Sequence, residues 1–248
     1  MIKISQDDVL FMKIKKDLSP NYSKKTRQKN SIKFVIIHYT GMQSEIESLK
    51  RLKSDKSKVS CHYFINRKGA ITQMVQDNKV AWHAGKSKWK SFKNLNENSL
   101  GIELENKGHE FGYQNFTKLQ IKSLIALLKY LKKKHRIKKA NFLGHSDIAP
   151  LRKIDPGEKF PWKKLSKYHL GTWYKNKIFF LNSTVKKEIE ILFFKNLYKI
   201  GYRYFKVNKR VKNDKLIIKV FQQRYLPKKA TGKIDQKTLR ISHFLANR

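Results

Sequence analysis

The chain has 248 residues, 40% hydrophobic and 12% aromatic, which is enough apolar material for a core and too much for wholesale disorder. Its 57 Lys and Arg against 18 Asp and Glu give a formal charge of +39, the sign expected for an anionic partner. Only 10 of those basic residues are Arg and 47 are Lys, and Arg carries most bidentate reading of bases and phosphates, so a solvated basic surface is expected ahead of a nucleic-acid reader.

Residues 1–31 are polar and basic without clear periodicity and read as an extended arm. Asp7 and Asp8 interrupt the place where the apolar run of a signal peptide belongs, so the default expectation is a soluble, cytoplasmic protein. Residues 32–40, IKFVIIHYT, are apolar on both alternating faces, as in a strand covered on both sides. Ile46, Leu49 and Leu52 have helical spacing over 45–53. Two strands, 61–66 and 70–75, flank a turn at Lys68-Gly69. After an aromatic, turn-rich loop, 100–104 is a further short strand.

Thr117 is placed to cap the clearest helix, 117–135, whose Leu119, Leu124, Leu127, Leu128 and Leu131 recur at helical spacing. A last short strand at 141–144 leads into the loop HSDIAPLRKIDPGEKFPW. Beyond about residue 175 the pattern changes to three helical segments, near 183–199, 214–225 and 235–246. Their apolar positions (Val185, Ile189, Leu192, Phe193; Ile217, Val220, Phe221; Leu239, Phe244, Leu245) can close a small bundle. The expected class is α/β, with an arm at 1–31, a main domain at 32–175 and a helical domain at 176–248. The single cysteine, Cys61, excludes an internal disulfide, and no run approaches the roughly 20 apolar residues that span a bilayer.

The chemistry starts at strand ends, where catalytic groups of α/β folds gather. His38 ends the strand in 32–40, His145 follows the strand at 141–144, and Asp155 lies in the same loop as His145. Two imidazoles and one carboxylate form an open zinc set with a fourth position left for water. Spacing alone does not bring them together, because they are far apart in the chain.

The strings around them do. FVIIHYT, VSCHYFINRKGAI, AWHAGKSKW, SLGIELENKGH, GHSDIAP and RKIDPGEKFPW occur in that order. Together they resemble the zinc-dependent N-acetylmuramoyl-L-alanine amidases of the AmpD and AmiD type, over residues of about 32–173. The resemblance implies a central mixed sheet flanked by helices and one Zn2+ per chain, held by His38, His145 and Asp155. It implies Glu103, the first glutamate of GIELE, as the catalytic carboxylate and Lys153 as a cation beside the developing oxyanion. Trp82 and His83 of AWHAG are expected to line the cleft against substrate. The implied reaction is hydrolysis of the amide between N-acetylmuramic acid, or its anhydro form, and L-alanine.

Each assignment has a plainer competitor. Glu105 alternates with Glu103 on one strand, Lys153 is one lysine among 47, and Asp155 before Pro156-Gly157 could only start a turn. His83 could make a structural hydrogen bond, His62 reads as structural, and His109, His135, His169 and His243 lack supporting motifs. Cys61 reads as packing. The segment KVFQQRYLPKKATGKIDQKTLRISHFL resembles the helical peptidoglycan-binding module that accompanies some AmiD-like amidases, through Phe221-Gln222 and the string 232–238. A wall-binding module sets a periplasmic or envelope location against the cytoplasmic default. Peptidoglycan or a muropeptide is the expected partner. The alternative function is a binding protein that holds peptidoglycan fragments without cutting them; the intact set of five residues argues against it. A nucleic-acid binder would instead show tight, strongly salt-dependent association.

Overall fold

The computed structural model describes residues 13–175 and 185–248. Residues 1–12 of the arm and residues 183–184 of the first C-terminal helical segment lie outside the described residues. The described part of the arm is extended and adds two strands, β1 (Ile14–Lys16) and β2 (Tyr22–Thr26). Then come β3 (Phe34–Tyr39), α1 (Glu45–Lys53), β4 (Tyr63–Ile65), β5 (Ile71–Gln73) and β6 (Lys79–Ala81). The small hairpin β7 (Lys88–Trp89) and β8 (Phe92–Lys93) precedes β9 (Ser99–Leu104). Next are α2 (Lys118–His135), β10 (Phe142–Gly144), the one-turn α3 (His145–Ile148) and α4 (Trp162–Ser166). The chain closes with α5 (Lys186–Ile200), α6 (Asp214–Tyr225) and α7 (Gln236–Ala246).

Six strands form one mixed sheet in the order β1-β5-β4-β9-β3-β10. β3 runs parallel to both neighbours, β9 and β10, whereas β4 and β5 are antiparallel. The strand register sets His38 opposite Glu103. Because side chains alternate along a strand, Val35, Ile37, Leu100 and Ile102 point to one face and pack under α2 through Leu124, Leu127, Leu128 and Leu131. The other face receives Phe34, Ile36 and Leu143. It is covered by Trp89 and Leu95 from the loop region and by Phe193, Leu197, Ile217 and Phe221 from α5 and α6. The C-terminal helices therefore share one continuous core with the sheet.

Local signals explain the helix limits. Ser44 accepts from the Glu47 N–H at the start of α1, Thr117 from Gln120 at α2, and Asp235 from Thr238 at α7. Leu119 and Ile46, read as part of apolar stripes, are 58% and 78% exposed, each in the first turn of its helix. Val185 is likewise exposed at the N-cap of α5. Cys61 is fully buried between Leu52, Phe64 and Met74. Among the described residues no helix is long and apolar enough to cross a membrane.

Candidate active site

At the carboxyl ends of β3, β9 and β10 a cavity of about 620 Å³ opens, and all seven residues singled out in the sequence line it: His38, Trp82, His83, Glu103, His145, Lys153 and Asp155. His38 is the fifth residue of β3, and His145 follows β10 directly as the first residue of α3. Asp155 lies in the next loop and is tied back by the Ser146 N–H, which donates to the Asp155 carbonyl at 2.9 Å. His38 Nδ1, His145 Nδ1 and Asp155 Oδ2 form a triangle with sides of 3.0, 3.1 and 3.1 Å. All three side chains are buried.

Hydrogen-bond partners decide the tautomers. Ser99 Oγ donates to the Leu95 carbonyl, so it accepts from His83 Nε2 at 3.3 Å. That leaves His83 Nδ1 as an acceptor for the Nε2–H of His38 at 3.1 Å, and leaves His38 Nδ1 without a proton. His145 Nε2 lies between the Ala84 carbonyl at 3.2 Å and the Arg152 guanidinium at 3.3 Å, so the ring is held with Nδ1 facing the triangle. Two imidazole nitrogens and a carboxylate oxygen thus converge at 3.0–3.1 Å. Donor atoms of these types held that close suit a metal bound at about 2.0–2.2 Å. The cluster could hold a metal ion.

The electrostatics agree. Burial, with the neighbouring His145, lowers His38 to about 4, so it stays neutral as a ligand must. Burial opposes ionisation of Asp155, but His145 and His38 outweigh it and hold the carboxyl well below the usual range. Burial, with the charge of Asp155, pushes Glu103 up to about 8, against the opposing fields of Lys153 and Arg51. One Glu103 oxygen, Oε2, is sealed from solvent with no hydrogen-bond partner. A carboxyl in that state can give or take a proton near neutral pH, which is what general acid–base work needs.

His83 sits tightly because the chain leaves room for it. A Cβ on Gly101 would stand 2.4 Å from His83 Cγ, so only glycine in β9 lets the ring lie across the strand. His62 is held behind the site. The Gly101 N–H donates to its Nδ1 at 3.0 Å, and its Nε2–H is then offered to the Lys79 carbonyl at 3.1 Å. With the Arg27 guanidinium beside it, a second proton has no place.

Several cavity residues carried no signal in the sequence. Arg51 reaches the cavity from α1, Tyr39 follows His38 in the same string, and His109 lies in the loop after β9. His109 is joined to the Tyr39 hydroxyl at 2.9 Å and to Glu158 at 3.1 Å. Arg152 binds the Ala84 and Lys86 carbonyls at the cavity edge. The neighbouring Glu105, the competitor for Glu103, instead accepts from the Arg67 N–H at 2.9 Å.

A mixed α/β sheet with a two-histidine, one-aspartate cluster and an opposed glutamate defines a class of candidate metal-dependent hydrolases. The chain belongs to the N-acetylmuramoyl-L-alanine amidase family, whose description matches residues 28–158. It is 40% identical over 154 residues to the N-acetylmuramoyl-L-alanine amidase AmiD of Escherichia coli, covering 57% of this chain and 55% of that protein. It is 34% identical over 164 residues to the 1,6-anhydro-N-acetylmuramyl-L-alanine amidase AmpD of Haemophilus influenzae, covering 59% and 86%. The matched part thus spans little more than half of the length of AmiD.

Among solved structures, E. coli AmiD in complex with the substrate anhydro-N-acetylmuramic acid-L-Ala-D-gamma-Glu-L-Lys superposes with a TM-score of 0.76 at 30% identity, covering 90% of this chain and 91% of that one. AmpDh3 from Pseudomonas aeruginosa superposes with a TM-score of 0.76 at 26% identity, covering 91% and 95%. Both superpositions extend well past residue 175, since a match ending there could cover no more than about 71% of the 248 residues.

Proposed function

We propose that this protein hydrolyses the amide bond between N-acetylmuramic acid, or its anhydro form, and the L-alanine of a peptidoglycan stem peptide, with zinc as cofactor. The observation that carries this reading is the triangle of two imidazole nitrogens and one carboxylate oxygen beside Glu103 in one cavity. His38, His145 and Asp155 would hold the ion. When bound, zinc supplies Lewis acidity at the scissile carbonyl and lowers the pKa of a water towards ~7.

The remaining work falls to side chains. Glu103 takes a proton from the attacking water and returns it to the leaving L-alanine nitrogen. The Lys153 ammonium, half-buried in the same cavity, stands beside the oxygen on which negative charge develops. Trp82 and His83 shape the wall against the sugar and the first peptide residues, and His83 also orients His38. The intact five-residue set supports an enzyme over a fragment-holding receptor.

The test is mass spectrometry of purified muropeptides after incubation with zinc-loaded protein, with and without chelator. The expected result is a muramic-acid sugar plus a free peptide that begins with L-alanine, both abolished by chelation. Unchanged substrate, with zinc confirmed bound, would establish the receptor instead. Running anhydro and ordinary muropeptides side by side shows whether recycled fragments or wall polymer is the better substrate.

A further inference from the structure

The helix that presents His145 is one turn long, residues His145–Ile148. So short a helix does not hold its own geometry, because a single turn has not recovered the entropy of nucleation. Its pitch, and with it the direction of the His145 ring, must be set by contacts from outside. Besides the Ser146–Asp155 and His145–Ala84 contacts, three of them meet on one side chain, Asp147, which is 1% exposed.

Asp147 Oδ2 accepts from the Gly144 N–H at 2.8 Å, closing the start of α3. The same oxygen is ion-paired with the Arg224 guanidinium, 77 residues later on α6. Asp147 Oδ1 accepts from the Tyr202 hydroxyl at 2.5 Å, just beyond α5. Arg224 is itself held: its Nη2 donates to the Phe142 carbonyl at 3.0 Å, and the guanidinium lies 3.9 Å from the ring centre of Trp162. The Tyr202 ring is fully buried and packs edge-on against Trp89 at 4.9 Å. Arg224 thus grips both the strand that ends at Gly144 and the carboxylate two residues past His145.

We propose that Arg224 and Tyr202 are positioning residues for the metal centre, so that the C-terminal helices set the orientation of His145 through Asp147. This rests on the reading of His38, His145 and Asp155 as metal ligands. It gives the helical part a duty inside the site, whatever else its outer surface binds. Outer partners of metal ligands typically change metal affinity by about 10–100-fold, and these act one residue further out through a rigid charge pair.

The experiment measures the zinc dissociation constant of the full chain by competition with a chromogenic chelator, the visible spectrum of the cobalt-substituted protein, and thermal stability. Tyr202→Phe keeps the ring and removes only the hydroxyl; it should weaken zinc about 3-fold and shift the cobalt bands. Arg224→Met should weaken zinc by about 10-fold or more. Arg224→Lys retains the charge but cannot hold Asp147 and Phe142 together, and should fall between. Leu128→Ala, under the opposite face of the sheet, serves as the control that lowers stability and leaves both metal readouts unchanged.

If Tyr202→Phe and Arg224→Lys keep wild-type zinc affinity and cobalt spectrum while melting lower, the contact is structural only and the proposal is overturned. Should Arg224→Met fail to fold, those two milder variants still decide it. A wild-type protein that takes up no zinc overturns the metal-site reading itself, and this proposal with it.

Discussion

The two faces of the central sheet are built differently. One face is mainly apolar and is closed chiefly by α2, an 18-residue helix with its own N-cap, with Phe160, Trp162 and Leu165 beside it. The other carries His38 and Glu103 at its rim and is closed by pieces drawn from across the chain: Trp89, Leu95, the α3 turn and the C-terminal helices. A face filled with Leu and Ile needs only volume and burial. A face that must hold two imidazoles and a carboxylate in fixed directions beside Glu103 needs fixed hydrogen-bond partners, and those come from wherever the fold can bring them.

The comparison breaks first at Glu103. Glu103→Gln keeps the shape of the chemical face and removes its proton carrier, so turnover should fall by about 10²–10⁴-fold while zinc stoichiometry stays at wild type. A fully active variant would show that another carboxylate acts. Next come matched cavities on the two faces. Leu128→Ala and Ile217→Ala, both at fully buried positions, should each cost about 2–5 kcal/mol in denaturant unfolding. Only Ile217→Ala should also weaken zinc, because only its face carries the ligands. Equal loss of zinc affinity in both would erase the distinction.

Gly101→Ala drives a Cβ to 2.4 Å from His83 Cγ. It should cost about 1–3 kcal/mol as overpacking and lower zinc affinity through the His83–His38 bond, whereas Gly112→Ala, in open space, should leave zinc affinity unchanged.

The last effect is in pH. Burial, then Arg27, lowers His62 to about 3, below its unfolded value near 6.5. The unfolded chain therefore binds the extra proton first as pH falls. This stabilising contribution is complete above pH ~6.5 and is lost between there and about 3, with a slope near 1.4 kcal/mol per pH unit. Stability measured across that window should lose this component in His62→Gln; an unchanged slope would place the titration elsewhere.

What the sequence revealed follows the same division. The α2 face was readable from Leu spacing and the Thr117 cap, because period and capping are local. The ligand residues were readable only because each sits in a distinctive string; their distances in the chain, 107 residues from His38 to His145, say nothing of a 3.0 Å approach. β1 and β2 carried no signal. They are short, Lys-bearing and largely exposed, and they pair at the edge of the main sheet or in a separate two-stranded sheet, where no apolar alternation is required. Arg224 was one cation among 57, and nothing short of the fold places it against Asp147. Arg51 and His109 were equally silent, since a cavity wall is assembled from loops and helix faces that share no motif.

The amidase reading is tested by hydrolysis of a defined anhydro-muramyl peptide in ¹⁸O-labelled water by the zinc-loaded protein, read by mass spectrometry of both fragments. The expected result is one ¹⁸O in the lactyl carboxylate of the sugar and none in a peptide bearing a free L-alanine amine. Cleavage at another bond, or intact substrate with zinc in place, would contradict it.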